Sequence, residues 1–447
     1  MADSTTYTLD GTPGPTVDEL CDRIDAVDRE LHAFVPGAET SEDRRARWHA
    51  ALAALPDRAQ GGERLPLYGV PVGVKDIVRV DGLPTRAGSR LPAEAFAGPQ
   101  AVVADRLAAA GALVAGKTVT AEFAILAPGP TRNPRNLEHT PGGSSSGSAA
   151  AVAAGLVPLA IGTQTVGSVI RPSAYCGIVG FKPTFGRIPV DGVVPNAPSY
   201  DTLGVHAATV ADAARAAAVL CDGWRTIEVP RPPVLGVPDG PYLERAQPEA
   251  LAAFEGQAAA LAEAGFEVRR VPLFADFERV VADLFTVNRH EAARSHADWF
   301  ARYGGRYREQ TAAVVREGQG VDAARYEEGL RRRAAFQAAL AEATGAAGVD
   351  VWISPAATGP APRGLESTGS SIMCLPWSNA GWPALTVPAG SIGPAGPGRP
   401  AGPGGSTERA GESLPLGLQC VARPGHDEEL LVWARPLEAV LAPAPAG

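Results

Sequence analysis

The sequence is poor in the features that mark secreted, metal-bound and membrane proteins. Its 447 residues hold five cysteines. These are Cys21, Cys176, Cys221, Cys374 and Cys420, an odd number with no metal-ligand spacing. The scatter excludes a disulfide framework and a zinc site, and it fits a reduced compartment. No metal and no cofactor is expected. There is no run of about 18 apolar residues, so no membrane span is expected. Residues 1–20 lack the apolar core of a secretory leader, which places the expected location in the cytoplasm. Basic excess is missing too: 40 Lys and Arg stand against 49 Asp and Glu, a net charge of −9. A chain of that sign has no footprint for binding nucleic acid directly.

What the chain does have is apolar mass, 45% of its residues, enough for a sizeable core. The length would allow two or three domains, yet no long linker divides the middle. Helix and strand patterns alternate along most of it. The expectation is an α/β fold, a mixed central β-sheet covered by helices on both sides. One large domain over residues 61–447 follows a helical arm over residues 1–60. Residues 1–16 read as disordered. Thr16 then caps a helix whose stripe is Leu20, Ile24, Val27, Leu31 and Phe34. A second, charged helix covers 41–55, its charges read as solvated faces. Strands are expected near 67–74, 156–161, 233–237, 266–271 and 350–354, with long helices from 277 to 340. The Gly/Pro-rich run 391–413 reads as a mobile hairpin loop and the tail 442–447 as frayed.

Two motifs mislead if taken alone. Gly111-Ala-Leu-Val-Ala-Gly116-Lys117-Thr118 fits the phosphate-loop pattern. Its intervening residues read as a strand that follows a helix, not as an amide-exposing loop, so nucleotide binding is rejected. Gly143-Ser-Ser145-Ser-Gly147 fits the nucleophile elbow. An elbow follows a strand, whereas residues 133–141 are polar and broken by proline. None of His206, His290, His296 and His426 stands out as a partner. Lys75-Asp76, met in isolation, reads as a surface ion pair.

The stretch Pro141–Thr184 organises the rest. A Gly-Ser turn, an Ala-rich helix over 148–155, a short buried strand and a second Gly-Ser turn bring Ser144 and Ser168 towards one place. The second turn, Thr165-Val166-Gly167-Ser168, is able to aim successive backbone N–H groups at one anion, as acyl transfer requires. The alternative reading is two Gly-Ser loops without chemistry.

This stretch resembles the signature sequence of the amidase signature family. The resemblance extends to Gly69–Asp76, Asn133-Pro134, His139–Pro141, Asn379–Ala384 and Leu414–Gln419, in the family's order over roughly residues 60–440. It implies a Ser-Ser-Lys triad. Ser168 matches the nucleophile, Ser144 the bridging serine in a cis peptide, and Lys75 the base, which must be neutral and therefore buried. The oxyanion hole would be Thr165, Val166, Gly167 and Ser168. Gln164 and Val166 depart from the commoner Asp and Gly. With Arg171, the segment is similar to a malonamidase-like branch, in which the matching arginine holds a substrate carboxylate. For Arg171 a structural ion pair is the alternative. Ser145 is a further substrate-contact candidate, with turn capping as its alternative. Segments 124–130, 288–299 and 358–377 are expected to shape the pocket. The implied activity is amide hydrolysis of a small molecule, with a homodimer left open. The alternatives are the A subunit of a tRNA-dependent amidotransferase, whose partner subunits would grip tRNA, and a scaffold that has lost activity.

Overall fold

The computed structural model describes residues 4–56, 64–393, 396–398 and 413–442. The chain opens on an antiparallel hairpin of β1 (Thr5–Tyr7) and β2 (Pro13–Thr16). The described part of this segment is therefore ordered, contrary to the sequence expectation. Thr6 Oγ1 donates to the Pro15 carbonyl at 2.5 Å, and Tyr7 N donates to the Gly69 carbonyl at 3.1 Å. Thr16 caps α1 (Val17–Leu31), with Glu19 returning the bond to the Thr16 amide, a reciprocal arrangement of the kind that stabilises a helix start by about 1 kcal/mol. Leu20, Ile24, Leu31 and Phe34 are buried as expected, while Val27 is exposed. The charges of α2 (Ser41–Ala54) are not free faces. Arg44 pairs with Asp25, Arg45 with Asp18 and Asp22, and Arg47 with Glu39. Trp48 Nε1 donates to the Ala115 carbonyl at 3.2 Å and ties the arm to the main sheet.

That sheet begins with β3 (Pro71–Lys75), α3 (Val102–Ala109) and β4 (Leu113–Thr118). There follow α4 (Ser146–Ala153), β5 (Leu159–Gln164), α5 (Ile170–Cys176), β6 (Val179–Lys182) and β7 (Thr202–Ala207). The chain continues through α6 (Val210–Leu220), β8 (Leu235–Asp239), α7 (Pro248–Glu263) and β9 (Val268–Pro272). A helical stretch then runs α8 (Phe277–Ser295), α9 (Ala297–Tyr303), α10 (Glu309–Gln319) and α11 (Ala323–Ala347). The last elements are β10 (Val351–Pro355), α12 (Leu375–Ala380), β11 (Ala384–Gly393), β12 (Gly396–Gly398), β13 (Leu414–Val421) and α13 (Asp427–Leu441).

The strands lie in the order β4-β3-β5-β7-β6-β11-β13-β10-β8-β9, with β12 pairing β11. The sheet is mixed. β3 runs parallel to β4 and β5, and β8 to β9 and β10, whereas β5–β7–β6–β11–β13–β10 is antiparallel throughout. Every residue of β3, β5, β6, β7 and β10 is buried. Burial on both faces means that both are covered, as an α/β fold requires. Strand starts move inward from the expected positions: residues 66–69 are a turn before β3, and β5 begins at Leu159 after a proline. Of the expected loop 391–413, residues 391–393 extend β11 and pair with β12. Residues 399–412, and the tail 443–447, lie outside the described residues.

The phosphate-loop look-alike is helix, turn and strand. Gly111 makes the turn with φ +85°, and Lys117 lies inside β4. Its Nζ is buried 3.0 Å from Asp76 Oδ1 and donates to Thr85 Oγ1 at 2.8 Å. Asp76 is thus neither on the surface nor paired with Lys75. Replacing Lys117 with methionine strands a buried carboxylate, a loss of about 3–5 kcal/mol in comparable pairs. Urea unfolding is expected to show that loss in the midpoint with an unchanged slope; a shift under about 1 kcal/mol contradicts it.

Candidate active site

β3 ends on Lys75, which meets the first Gly-Ser turn. The side chain is buried, and Nζ donates to Ser144 Oγ at 2.7 Å and to Thr163 Oγ1 at 2.7 Å. No carboxylate lies within salt-bridge reach of it among the described residues. Burial therefore holds its pKa well below the ordinary lysine value, against a weaker upward pull from Asp201. Both glycines before Ser144 are required by close approach. A side chain at Gly142, where φ is +82°, would sit 2.9 Å from Pro172 Cα, and one at Gly143 would sit 2.6 Å from Thr368 Cγ2. The Gly143–Ser144 peptide is cis, and the Ser144 carbonyl accepts from Ala121 N at 3.0 Å.

The small residues of α4 let it pack directly on the sheet. A Cβ at Gly147 would collide with the Ala33 carbonyl, and Ala149, Ala150 and Ala151 are fully buried. The serines around its start tie down backbone. Ser146 Oγ donates to the Gly142 carbonyl at 2.9 Å, and Ser148 Oγ to the Ile161 carbonyl at 2.9 Å. Ser145 Oγ donates to the Thr163 carbonyl and accepts from Thr163 N, both at 3.2 Å. Its hydroxyl is thus engaged with β5. No histidine hydrogen-bonds to Ser144, Ser145 or Ser168 among the described residues. His206 meets Ser173 Oγ at 2.8 Å, and burial pushes its pKa down to about 3.

Gln164 explains how the second turn is held. Its Oε1 accepts from Val169 N at 2.9 Å and Ile170 N at 3.0 Å, capping α5, and its Nε2 donates to Ser378 Oγ at 3.0 Å. Ser378 Oγ in turn donates to the Val166 carbonyl at 2.6 Å. Thr165 Oγ1 donates to Asp201 Oδ1 at 2.6 Å, and the other Asp201 oxygen accepts from Asn196 N and Ala197 N. Burial pushes the Asp201 pKa up to about 6 against these bonds. Val166 is absent from the left-handed residues, so valine enters the turn without the strain a β-branched residue would meet at positive φ. Its side chain joins an apolar cluster with Tyr200, Leu284, Ile372 and Leu375. With these anchors in place, the amides of Val166, Gly167 and Ser168 find no acceptor among the described residues. Ser168 is half-buried, and its hydroxyl has no hydrogen bond there either.

Arg171, one helical turn beyond Ser168, donates from a terminal nitrogen to the Gly143 carbonyl at 2.5 Å and to Thr368 Oγ1 at 3.1 Å. It bridges the second turn to the first. It forms no ion pair among the described residues, so the structural ion-pair alternative falls. Its Nε is buried without a partner. Lys75 and Ser144 are thus joined directly, and the Ser168 turn is joined to the Ser144 turn through Arg171. Thr368 lies in the segment 358–377 expected to shape the pocket, whereas sequence reasoning missed Thr163, Asp201 and Ser378. Thr163 alone carried a signal, a hydroxyl residue directly after the small and apolar run 159–162.

The Amidase family profile matches residues 16–431. The chain belongs to the amidase family. It is an enzyme of the class that breaks amide carbon–nitrogen bonds. Among relatives it is 31% identical to the A subunit of a glutamyl-tRNA(Gln) amidotransferase from Deinococcus radiodurans, over 96% of this chain and 94% of that protein. It is 48% identical to the same-named protein of Anaeromyxobacter sp. (strain K) over 43% of this chain, which is 39% of that protein's length. Among solved structures it resembles an amidase, with 30% identity, a TM-score of 0.81 and 95% of each chain covered. It also resembles a substrate-bound 6-aminohexanoate cyclic dimer hydrolase, with 25% identity and a TM-score of 0.76 over 95% of this chain and 93% of that one. Among the described residues no helix is long and apolar enough to cross a membrane.

Proposed function

We propose that this amidase hydrolyses small linear amides through Ser168, Ser144 and Lys75, by way of an acyl-enzyme. The observation that carries the reading is the buried Lys75 amine 2.7 Å from Ser144 Oγ. The same separation serves a bond in either direction, so a neutral Nζ lone pair can take the Ser144 proton while Ser144 takes that of Ser168. Ser168 Oγ then attacks the amide carbon. The oxyanion accepts from the unengaged amides of Val166, Gly167 and Ser168, each such donor being worth about 2.7–4 kcal/mol in other serine hydrolases. Collapse breaks the C–N bond, and the proton returns through Ser144 to the departing amine. Water repeats the sequence on the ester and restores Ser168. No metal and no cofactor enters these steps.

Arg171 supports a narrower substrate class, amides that also bear a carboxylate, in keeping with the malonamidase-like resemblance. A buried guanidinium without a counter-ion is costly, and a substrate carboxylate would supply one in bidentate geometry. The test compares paired amides, with and without a free carboxylate, on the native enzyme and on Arg171→Met. Because Arg171 also holds the Gly143 carbonyl, some loss is expected on both substrates. Preference for the carboxylated member is expected to fall about 10–100-fold, the value of one charge-assisted contact. Equal losses on both would remove Arg171 from substrate recognition.

The named relatives favour a second reading, the A subunit of a tRNA-dependent amidotransferase. With a net charge of −9, tRNA contact would fall to partner subunits. Glutamine as the preferred amide, together with copurifying subunits, would select that reading. Turnover of simple amides by the isolated chain, alone or as a homodimer, selects the first.

A further inference from the structure

A cavity of about 660 Å³ opens between α8 and α11 and is lined by none of the residues assigned above to the amide site. That volume suits a small organic ligand. Its body is apolar, formed by Leu273, Phe274, Val280, Phe336, Ala339 and Leu340. Its rim is charged, and most of the charges are already used. Asp239 pairs with Arg270 at 2.9 Å and Asp283 with Arg332 at 3.1 Å. Asp276 caps α8 by accepting from Arg279 N. The side chains of Arg279 and Arg333 form no salt bridge among the described residues, and Glu291, which already accepts from Ser199 and Tyr326, attracts Arg333 only from beyond contact. Arg333 is the more telling. It is half-buried, its guanidinium lies 4.1 Å from the centre of the Tyr200 ring, and among the described residues only Nε has an acceptor, the Asn379 carbonyl at 2.9 Å. Stacking on an aromatic face fixes the plane of the guanidinium and leaves its terminal nitrogens poised for a planar oxyanion.

We propose that this cavity binds a small amphipathic carboxylate, its apolar chain against Phe274, Phe336 and Leu340 and its carboxylate on Arg333. The ligand class follows from an apolar chamber on whose rim Arg333 presents a planar cation with no contact ion pair among the described residues, while the Asp276 carboxylate is turned to the amide of Arg279 at the start of α8. The site is separate from the chemistry but adjoins its supports. Tyr200 precedes Asp201, which holds Thr165, and Asn379 follows Ser378, which holds Gln164 and Val166.

The test is calorimetric titration of the full chain with octanoate and, as the uncharged control, 1-octanol. No turnover is involved, so the outcome is independent of the amidase reading. Octanoate is expected to bind one per chain, at least tenfold tighter than octanol. Arg333→Met is expected to weaken octanoate tenfold or more and to leave octanol unchanged, which also shows that the variant is folded. Ala339→Trp, or Ala343→Leu if the tryptophan variant does not fold, fills the chamber and is expected to abolish both. Absence of octanoate binding at millimolar concentration, octanol binding as tightly as octanoate, or octanoate affinity unmoved by both Arg333→Met and the filling substitution overturns the proposal. The last result would place the bound acid elsewhere, for instance at Arg171.

Discussion

Ser168→Ala is expected to lower amide turnover on the order of 10⁶-fold, the loss seen when a serine hydrolase loses its nucleophile, with almost no change in stability. The asymmetry follows from what the hydroxyl does in the resting fold. Ser168 Oγ has no hydrogen-bond partner among the described residues and is half-buried, so its removal strands no polar group and opens no closed cavity. Substitutions of that kind fall within about 0.5 kcal/mol. Ser148 is the natural control. Its buried hydroxyl donates to the Ile161 carbonyl and lies 2.7 Å from Thr118 Oγ1. Ser148→Ala therefore costs stability, about 1–3 kcal/mol for the partners left behind. Single-turnover kinetics and urea unfolding of both variants separate the two roles. If Ser168→Ala keeps even a hundredth of native turnover, Ser168 is not the nucleophile.

How much of this was legible beforehand divides by range. Local signals read well. Thr16 and Glu19 mark the start of α1, Gly111 ends the α3 segment and keeps Lys117 in a strand, and the small residues of 148–155 give a helix. The turns that carry Ser144 and Ser168 are read from their Gly-Ser chemistry, and the burial of Lys75 follows from the resemblance. What failed is pairing across long separations. Nothing near Asp76 in sequence says that its partner is Lys117 rather than Lys75; alternation along β3 and the parallel register with β4 decide that. Gln164 departs from the commoner Asp, and the reach of its side chain is invisible in a string. In three dimensions its one amide caps α5 and grips Ser378, 214 residues away. For Ser145, a substrate-contact candidate with turn capping as its alternative, no local signal marks the true partner. The strand that engages its hydroxyl arrives eighteen residues later. The order of residues 4–16 was missed for the same reason, since the hairpin is held by Gly69.

Lys75→Met is expected to remove about 10²–10⁴-fold of activity, the range for a positioned general base, and to change how stability responds to pH. In the native enzyme the amine must be neutral to accept a proton, so kcat/KM rises with pH to a plateau, with a midpoint well below the ordinary lysine value because Lys75 is desolvated. That rise is expected to vanish from the residual activity of the variant. The stability arm has a definite sign. Unfolding returns Lys75 to a pKa of about 10.4, so between its depressed folded value and that figure the unfolded chain binds the extra proton, and native stability climbs with pH. Asp201 works oppositely. Its pKa is raised to about 6 in the fold, so stability from that group is lost as pH rises from about 4 to 6. Between pH 7 and 10 Asp201 is ionised in both states, and Lys182, which burial lowers to about 7, contributes equally to both chains, so the difference between them isolates Lys75. Native and Lys75→Met chains are expected to diverge most at pH 7, where the native fold still bears the cost of stripping a proton from its lysine, and to converge towards pH 10. Parallel stability profiles across that range would mean that Lys75 stays charged in the fold. A charged amine, unable to take a proton from Ser144, leaves the relay without its base.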